Sequence, residues 1–128
     1  AEGQHVVALV VDDENSNRLI LAELLQEAGI EVHEACDGEK AVACLQDQRV
    51  DIIFMDNEMP IMTGLEAMGH ILKMSHQPKC IAVSAAVLEE DYKRYREAGF
   101  DDVIAKPFEF RTVFDCLSKQ LGVSFEYL

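Results

Sequence analysis

Short apolar runs alternate along the chain with longer segments in which apolar residues recur every three or four positions. The short runs are typical of buried β-strands and the longer segments of amphipathic helices, so their alternation predicts an α/β fold with a parallel sheet. The first run is apolar on both sides, which favours a central strand, whereas polar residues alternate through the second, which favours an exposed edge. The five predicted strands are residues 5–11, 30–35, 51–55, 80–83 and 102–105.

A segment with helical spacing follows each predicted strand. In the first of these segments, Asn15 or Ser16 is the predicted N-cap and Gly29 the predicted end. The second helix is predicted to begin at Asp37 and Gly38. The residues expected to face the core are, helix by helix, Ile20, Leu21, Leu24, Leu25 and Ala28; Ala41, Val42 and Leu45; Leu65, Met68 and Leu72; Leu88, Tyr92 and Tyr95; and Phe110, Val113, Phe114, Leu117 and Leu121.

Five strands joined by right-handed helical crossovers fit a doubly wound, flavodoxin-like sheet with strand order 2-1-3-4-5 and five helices. We expect the whole chain, residues 1–128, to form a single domain with a core from about residue 6 to residue 121. In this order the first and third strands are neighbours at the topological switch point. Open α/β sheets bind ligands there, outside the carboxyl ends of the strands.

The charge balance limits the partners that the protein can have. With 24 acidic and 11 basic residues the net charge is -13, which argues against nucleic acid or an anionic membrane as a direct partner. No apolar run approaches the ~18 residues of a membrane span, and the N-terminus does not resemble a signal peptide. The four cysteines are far apart, without a CxxC pair, and predict buried thiols in a reducing compartment. We therefore expect a cytoplasmic location and a monomer in isolation.

Polar residues interrupt the chain where four of the predicted strands end. After the first, third, fourth and fifth strands these residues are, in order, Asp12-Asp13, Asp56, Ser84 and Lys106. Because parallel strands end at a common edge, the side chains are expected to share one crevice. Close carboxylates repel one another unless a cation lies among them, and oxygen ligands select Mg²⁺, with Mn²⁺ as the alternative. A carboxylate left free by the metal could attack phosphorus and form an acyl phosphate, assisted by the hydroxyl and the ammonium group.

Taken alone, each of these residues also has a structural interpretation. Asp12 and Asp13 could be a solvated strand end or a helix cap, and Asp56 could cap the following turn. Ser84 could be a structural hydroxyl and Lys106 a surface residue. Their joint placement at strand ends favours the site.

Five segments carry a resemblance to a known family. In chain order they are VVDDENSNRLIL, LLQEAGIEV, DIIFMDNEMPIMTGLE, IAVSA and EAGFDDVIAKPF. Together they resemble the receiver domain of two-component response regulators, from about residue 6 to residue 121. With the pair Asn17-Arg18 and the acidic Glu58, the chain most resembles the receivers carried by hybrid sensor histidine kinases.

The resemblance implies a role for each matching residue. The implied Mg²⁺ ligands are Asp12, mainly through a water, Asp13, Asp56, and Glu58 through its backbone carbonyl. Asp56 would also accept the phosphoryl group, while Ser84 would supply the switch hydroxyl and Lys106 would bridge carboxylate and phosphoryl oxygens. Val103 stands where many receivers have Tyr or Phe, which excludes an aromatic swing as the readout.

The implied function is a phosphorylation switch, not enzymatic turnover. A histidine kinase or histidine phosphotransfer protein would donate the phosphoryl group, and residues 85–89 would then move and alter the surface of the predicted fourth helix, fifth strand and fifth helix. Candidates for that surface, each of which could instead belong to the core, are Tyr92, Tyr95, Phe108 and Phe110. Two alternatives stay open: a receiver-like module recognised without phosphorylation, and a small phosphate-ester hydrolase, for which the chain lacks the length of a substrate-selecting cap.

Overall fold

The computed structural model describes residues 6–56, 69, 71, 73, 78–84, 89–105 and 110–121. The strands are β1 (Val7–Val11), β2 (Glu31–Ala35), β3 (Ile52–Asp56), β4 (Lys79–Ser84) and β5 (Asp102–Ala105). The helices within the described ranges are α1 (Asn15–Glu27), α2 (Gly38–Asp47), α3 (Glu89–Ala98) and α4 (Phe110–Leu121). The predicted helix with Leu65, Met68 and Leu72 lies outside the described residues. None of the helices in these ranges is both long and apolar enough to cross a membrane.

All five strands run parallel in one sheet of order β2-β1-β3-β4-β5, which confirms the predicted doubly wound topology. The strand at the β2 edge is only partly buried, as its alternating sequence predicted, whereas every residue of β3 is buried. Two strands extend one residue further than predicted at their carboxyl ends, so that Asp56 and Ser84 are the last residues of β3 and β4. The sheet therefore holds both residues in its hydrogen-bonded frame.

Helices cover both faces of the sheet because alternate strand residues point to opposite sides. The core beneath α1 and α4 includes Ala8, Val10, Leu21, Leu25, Ile52, Phe54, Val113 and Leu117. The core beneath α2 and α3 includes Leu9, Val11, Ala41, Ile53, Met55, Ala82, Tyr95 and Phe100. Burial of these apolar side chains is the main force that holds the carboxyl edge of the sheet in a fixed shape.

The start of α1 differs from the prediction. Its N-cap is Glu14, whose side chain makes no capping hydrogen bond, so the predicted cap at Asn15 or Ser16 is wrong. The carboxylate of Asp12 instead accepts the backbone N–H of Glu14 at 2.9 Å. This contact turns the chain directly after β1, and the helix begins one or two residues earlier than the predicted caps indicate.

The solvent side of α1 also differs from the prediction. Ile20, expected in the core, is 60% exposed, and its neighbour Leu19 is 47% exposed. Leu21, Ala22 and Leu25 form the buried face. Because residues 19–22 are a continuous apolar run, the spacing did not indicate which flank turns towards solvent.

Two helices end in the same way at glycine. Gly29 follows α1 with φ 84° and Gly99 follows α3 with φ 110°, a backbone region that side chains with a Cβ rarely adopt. The residue after each glycine donates its N–H to the carbonyl five positions earlier, at 3.1 and 3.0 Å. These bonds satisfy carbonyl groups that the helix ends would otherwise leave unpaired.

Two further aspartates have a structural role at the opposite, amino edge of the sheet. Asp51 donates its N–H to the carbonyl of Val7 and accepts the N–H of Val7 on its carboxylate, both at 2.8 Å. Asp101 makes the same pair of bonds with Cys80, again at 2.8 Å. These carboxylates fix how neighbouring strands start and take no part in the acidic crevice.

Tyr95 belongs to the core and not to the surface for which it was a candidate. Its side chain is 1% exposed, and its ring lies 5.6 Å from that of Phe100 at an interplanar angle of 88°. Tyr92 is partly buried against the same core. Phe108 and the side chain of Phe110 lie outside the described part of the chain.

The four cysteines are free thiols. Cys80 and Cys116 are buried as predicted, whereas Cys36 and Cys44 are only half-buried, so the expectation of burial is wrong for these two. Burial raises the pKa of Cys80 and of Cys116 to about 12. Both thiols are therefore protonated at neutral pH and are poor nucleophiles.

Candidate functional site

The strand register brings the acidic residues of β1 and β3 side by side. Val11 pairs with Met55, so Asp12, the next residue, lies level with Asp56. One carboxylate oxygen from each of Asp12, Asp13 and Asp56 lies within 4.8 Å of the other two. The three carboxylates expected from the sequence therefore meet at the carboxyl edge of the sheet.

The burial of the three carboxylates is unequal. Asp12 and Asp56 are 6% and 5% exposed, whereas Asp13 is exposed. Negative charges this close, two of them buried, repel one another in the absence of a cation. The donor set fits Mg²⁺, because this ion prefers carboxylate oxygens and keeps several waters, to which the exposed side at Asp13 gives access.

The loop after β1 is tied down on both sides of Asp12. Its backbone N–H donates to the carbonyl of Ala35 at the end of β2, at 3.1 Å. Its own carbonyl accepts a hydrogen bond from Nη1 of Arg18 at 2.9 Å. The Nε of Arg18 in turn donates to the carboxylate of Glu34 at 3.0 Å. A network of backbone and side-chain hydrogen bonds thus links Asp12 and the loop that carries Asp13 to the edge strand β2.

Arg18 entered the sequence predictions only as part of the pair Asn17-Arg18 in the family resemblance. A signal was present, because Arg18 is the sole Lys or Arg before Lys40 in a chain of net charge -13. It also lies one helical turn after Glu14, which places it beside the acidic loop.

Ser84, the last residue of β4, is 2% exposed. Asp56 pairs with the residue before it, so the hydroxyl lies on the adjacent strand, one position beyond the acid. Val103 on β5 is also buried, at 8% exposed. Lys106 and Glu58 lie outside the described residues, so their roles stay predictions.

The fold and this edge define a class: α/β proteins with a doubly wound sheet and an acidic cluster at the topological switch point. A family model, the response regulator receiver domain, matches residues 8–118. The chain belongs to this family.

Individual relatives agree with the family match. The chain is 36% identical over 112 residues to the chemotaxis protein CheY of Thermotoga maritima, which covers 87% of this chain and 93% of that protein. It is 29% identical over 129 residues to hybrid signal transduction histidine kinase G of Dictyostelium discoideum, covering 97% of this chain but only 4% of that protein. Among solved structures, the receiver domain of sensor histidine kinase PA1611 from Pseudomonas aeruginosa superimposes with a TM-score of 0.85 at 29% identity, covering 94% of this chain and all of that domain, and holds a magnesium ion in its active site cleft.

Family membership identifies the chain as a receiver domain of two-component signal transduction, a signalling domain that accepts a phosphoryl group. Receivers typically bind Mg²⁺ and interact with histidine kinases or phosphotransfer proteins. The acidic cluster is the feature of this chain that fits such chemistry.

Proposed function

We propose that Asp56 accepts a phosphoryl group from phosphohistidine and that the added charge switches a protein-interaction surface. The observation that carries the proposal is the position of Asp56, whose carboxylate lies within 4.8 Å of those of Asp12 and Asp13 at the carboxyl edge of the sheet. In the transfer, a carboxylate oxygen of Asp56 attacks phosphorus and an O–P bond forms. The N–P bond to the donor breaks, and its electron pair goes to the imidazole nitrogen.

The metal ligands that we propose are Asp12, Asp13, Asp56 and the backbone carbonyl of Glu58. Mg²⁺ is the proposed ion and Mn²⁺ the alternative, because both take oxygen ligands. When bound, the ion would supply neutralising charge for the phosphoryl oxygens.

The remaining groups act on the transferred phosphoryl group. The hydroxyl of Ser84 would donate to one of its oxygens, and the ammonium group of Lys106 would pair with another. The sheet supports this assignment, because Ser84 pairs with Ala105, the residue directly before Lys106. The oxygens of the phosphoryl group would thus meet a donor from each of the last two strands.

A histidine kinase or histidine phosphotransfer protein is the proposed phosphodonor. Leu19 and Ile20 on α1 support docking beside the site, since they offer exposed apolar area on the helix that follows Asp12 and Asp13. The net charge of -13 supports the absence of a direct nucleic acid or membrane partner, and the free thiols support a cytoplasmic location. We further propose that residues 1–128 form one receiver domain that is monomeric in isolation.

A phosphorylation assay tests the proposal. The protein is incubated with a small acyl phosphate donor, with Mg²⁺ or with a chelator, and its intact mass is followed over time. We expect one phosphoryl adduct that requires Mg²⁺ and that hydroxylamine removes, since hydroxylamine cleaves acyl phosphates. A protein that binds Mg²⁺ but never gains the adduct would support the phosphorylation-independent module, and sustained release of phosphate from simple phosphate esters would support the hydrolase.

Neutralising Asp13 is expected to have opposite effects on stability without and with the metal. Without Mg²⁺, Asp13→Asn should raise the free energy of unfolding by up to about 1 kcal/mol at low salt, because one of three repelling carboxylates is removed and solvent screens this exposed group. At a Mg²⁺ concentration of about 100 times its Kd, the wild type should gain about 2.7 kcal/mol. The variant should gain less, because it has lost a ligand.

Urea unfolding with and without Mg²⁺ measures both effects of this substitution. Asp47→Asn is the matched control, because Asp47 is an exposed carboxylate at the end of α2, away from the cluster. A variant at Asp13 that gains as much stability from Mg²⁺ as the wild type would contradict the proposed ligand set.

A further inference from the structure

We infer that Arg18 is a positioning residue that holds the loop of Asp12 and Asp13 in the shape needed to bind the metal, an inference that rests on the proposed function. Its guanidinium group connects three parts of the chain. Nη1 donates to the carbonyl of Asp12 at 2.9 Å, and Nε donates to the carboxylate of Glu34 at 3.0 Å. Nη2 donates to the side-chain oxygen of Asn15 at the first turn of α1.

The bond to the carbonyl of Asp12 controls the orientation of the acidic pair. A peptide unit is planar, so fixing this carbonyl fixes the plane that links Asp12 to Asp13. The N–H of Asp12 is already held by Ala35, at 3.1 Å. Arg18 therefore supplies the second constraint on the residue that leads from the strand into the cluster.

The arginine fork suits three partners because each accepts from a different nitrogen of the guanidinium group. The guanidinium is planar and directs its five N–H groups along fixed lines, whereas a lysine ammonium is a single point of charge. The side chain of Arg18 is only 15% exposed, and that of Glu34, its ion-pair partner, is 36% exposed. The guanidinium group is thus held on one side by the partly shielded carboxylate of Glu34 and on the other by the backbone of the loop that contains Asp12.

A positioning role and a simple charge effect predict opposite changes in Mg²⁺ affinity when Arg18 is removed. A cation beside the acidic cluster repels Mg²⁺, so if charge alone mattered, its removal would tighten metal binding. If Arg18 positions the loop, its removal weakens binding, because the ligands must then be ordered when the metal binds. Loss of a group that supports metal ligands typically weakens metal affinity by about 10–100-fold. Since Arg18 contacts the backbone of a ligand and not its carboxylate, we expect the lower end of this range.

Calorimetric titration of the full chain with MgCl₂ measures the effect directly. We expect Arg18→Met to raise the Kd for Mg²⁺ about tenfold and Arg18→Lys to raise it by a smaller factor of about three. Arg49→Met is the matched control, because Arg49 is an exposed arginine before β3, at the opposite edge of the sheet. It removes the same charge and should leave the Kd within about twofold of the wild-type value.

A second readout separates positioning from general damage to the fold. The rate of phosphorylation by the acyl phosphate donor is measured against Mg²⁺ concentration. For Arg18→Met the half-saturating Mg²⁺ concentration should rise about tenfold, while the rate at saturation stays within about twofold of the wild-type rate. A variant that is damaged throughout would lose the saturating rate as well, and this outcome would overturn the inference.

The remaining outcomes are equally decisive. Unchanged or tighter Mg²⁺ binding by Arg18→Met, or an equal loss in Arg49→Met, would overturn the inference. Should Arg18→Met fail to fold by circular dichroism, Arg18→Lys decides: a raised Kd at wild-type stability supports positioning, and an unchanged Kd overturns it. If the wild type binds Mg²⁺ but gains no phosphoryl adduct, the proposed function fails independently of what the variants at Arg18 show.

Discussion

Replacing Asp56 with asparagine is expected to abolish the phosphoryl adduct, with a fall in the rate of its formation of at least about a thousandfold. The neutral amide has nearly the same size as the carboxylate, so it can occupy this buried position, at 5% exposed, without opening a cavity. It cannot supply the anionic oxygen that attacks phosphorus. The measurement is intact mass after incubation with Mg²⁺ and a small acyl phosphate donor.

Asp47→Asn is the control for this experiment as well, because it makes the same chemical change at an exposed site on α2. It should be phosphorylated at the wild-type rate. Peptide mapping of the labelled wild type should find the phosphoryl group on the segment that contains Asp56 and not on the one that contains Asp12 and Asp13. An adduct that persists in Asp56→Asn would disprove Asp56 as the acceptor.

The sequence was sufficient to predict the sheet and the place where its acidic residues meet. Strands of a parallel sheet are buried on both faces, so their sequences are short, nearly continuous apolar runs. This pattern differs from the three- or four-residue spacing of apolar residues in a helix. Once the strand order is predicted from the alternation of strands and helices, a residue at the end of one strand must lie beside the end of the neighbouring strand. Asp12 and Asp56 meet for this reason, because each lies at or directly after the end of its strand.

Side chains that depend on tertiary contacts were harder to predict. Because α1 contains four consecutive apolar residues, which include Ile20, the sequence did not determine which face of the helix turns towards the core. The capping residue of α1 was misassigned because the carboxylate of Asp12 makes the turn. The role of Arg18 depends on Glu34, which is distant in sequence and becomes its neighbour only through the pairing of β1 with β2.

Tyr95 has the second large expected effect, on stability. Its replacement with alanine should lower the free energy of unfolding by about 3–5 kcal/mol, the usual cost of deleting a buried aromatic side chain. The reason is its position on the buried face of α3, where the side chain is 1% exposed and its ring packs edge-to-face with that of Phe100. The guanidinium of Arg94 also lies 5.5 Å from the ring centroid and loses this contact in the variant. Urea unfolding followed by circular dichroism measures the change.

Tyr95→Phe separates packing from a role of the hydroxyl group. The phenylalanine ring keeps the contact with Phe100, so this variant should stay within about 1.5 kcal/mol of the wild type. If Tyr95 were instead a residue of the interaction surface, alanine would leave stability unchanged and would weaken only the binding of a partner. Because Tyr95 packs in the same core as Met55, the residue directly before Asp56, its loss should increase the unfolded fraction of the domain that carries the acceptor. Tyr95→Ala should therefore be phosphorylated more slowly wherever it is partly unfolded, and at the wild-type rate once corrected for the folded fraction.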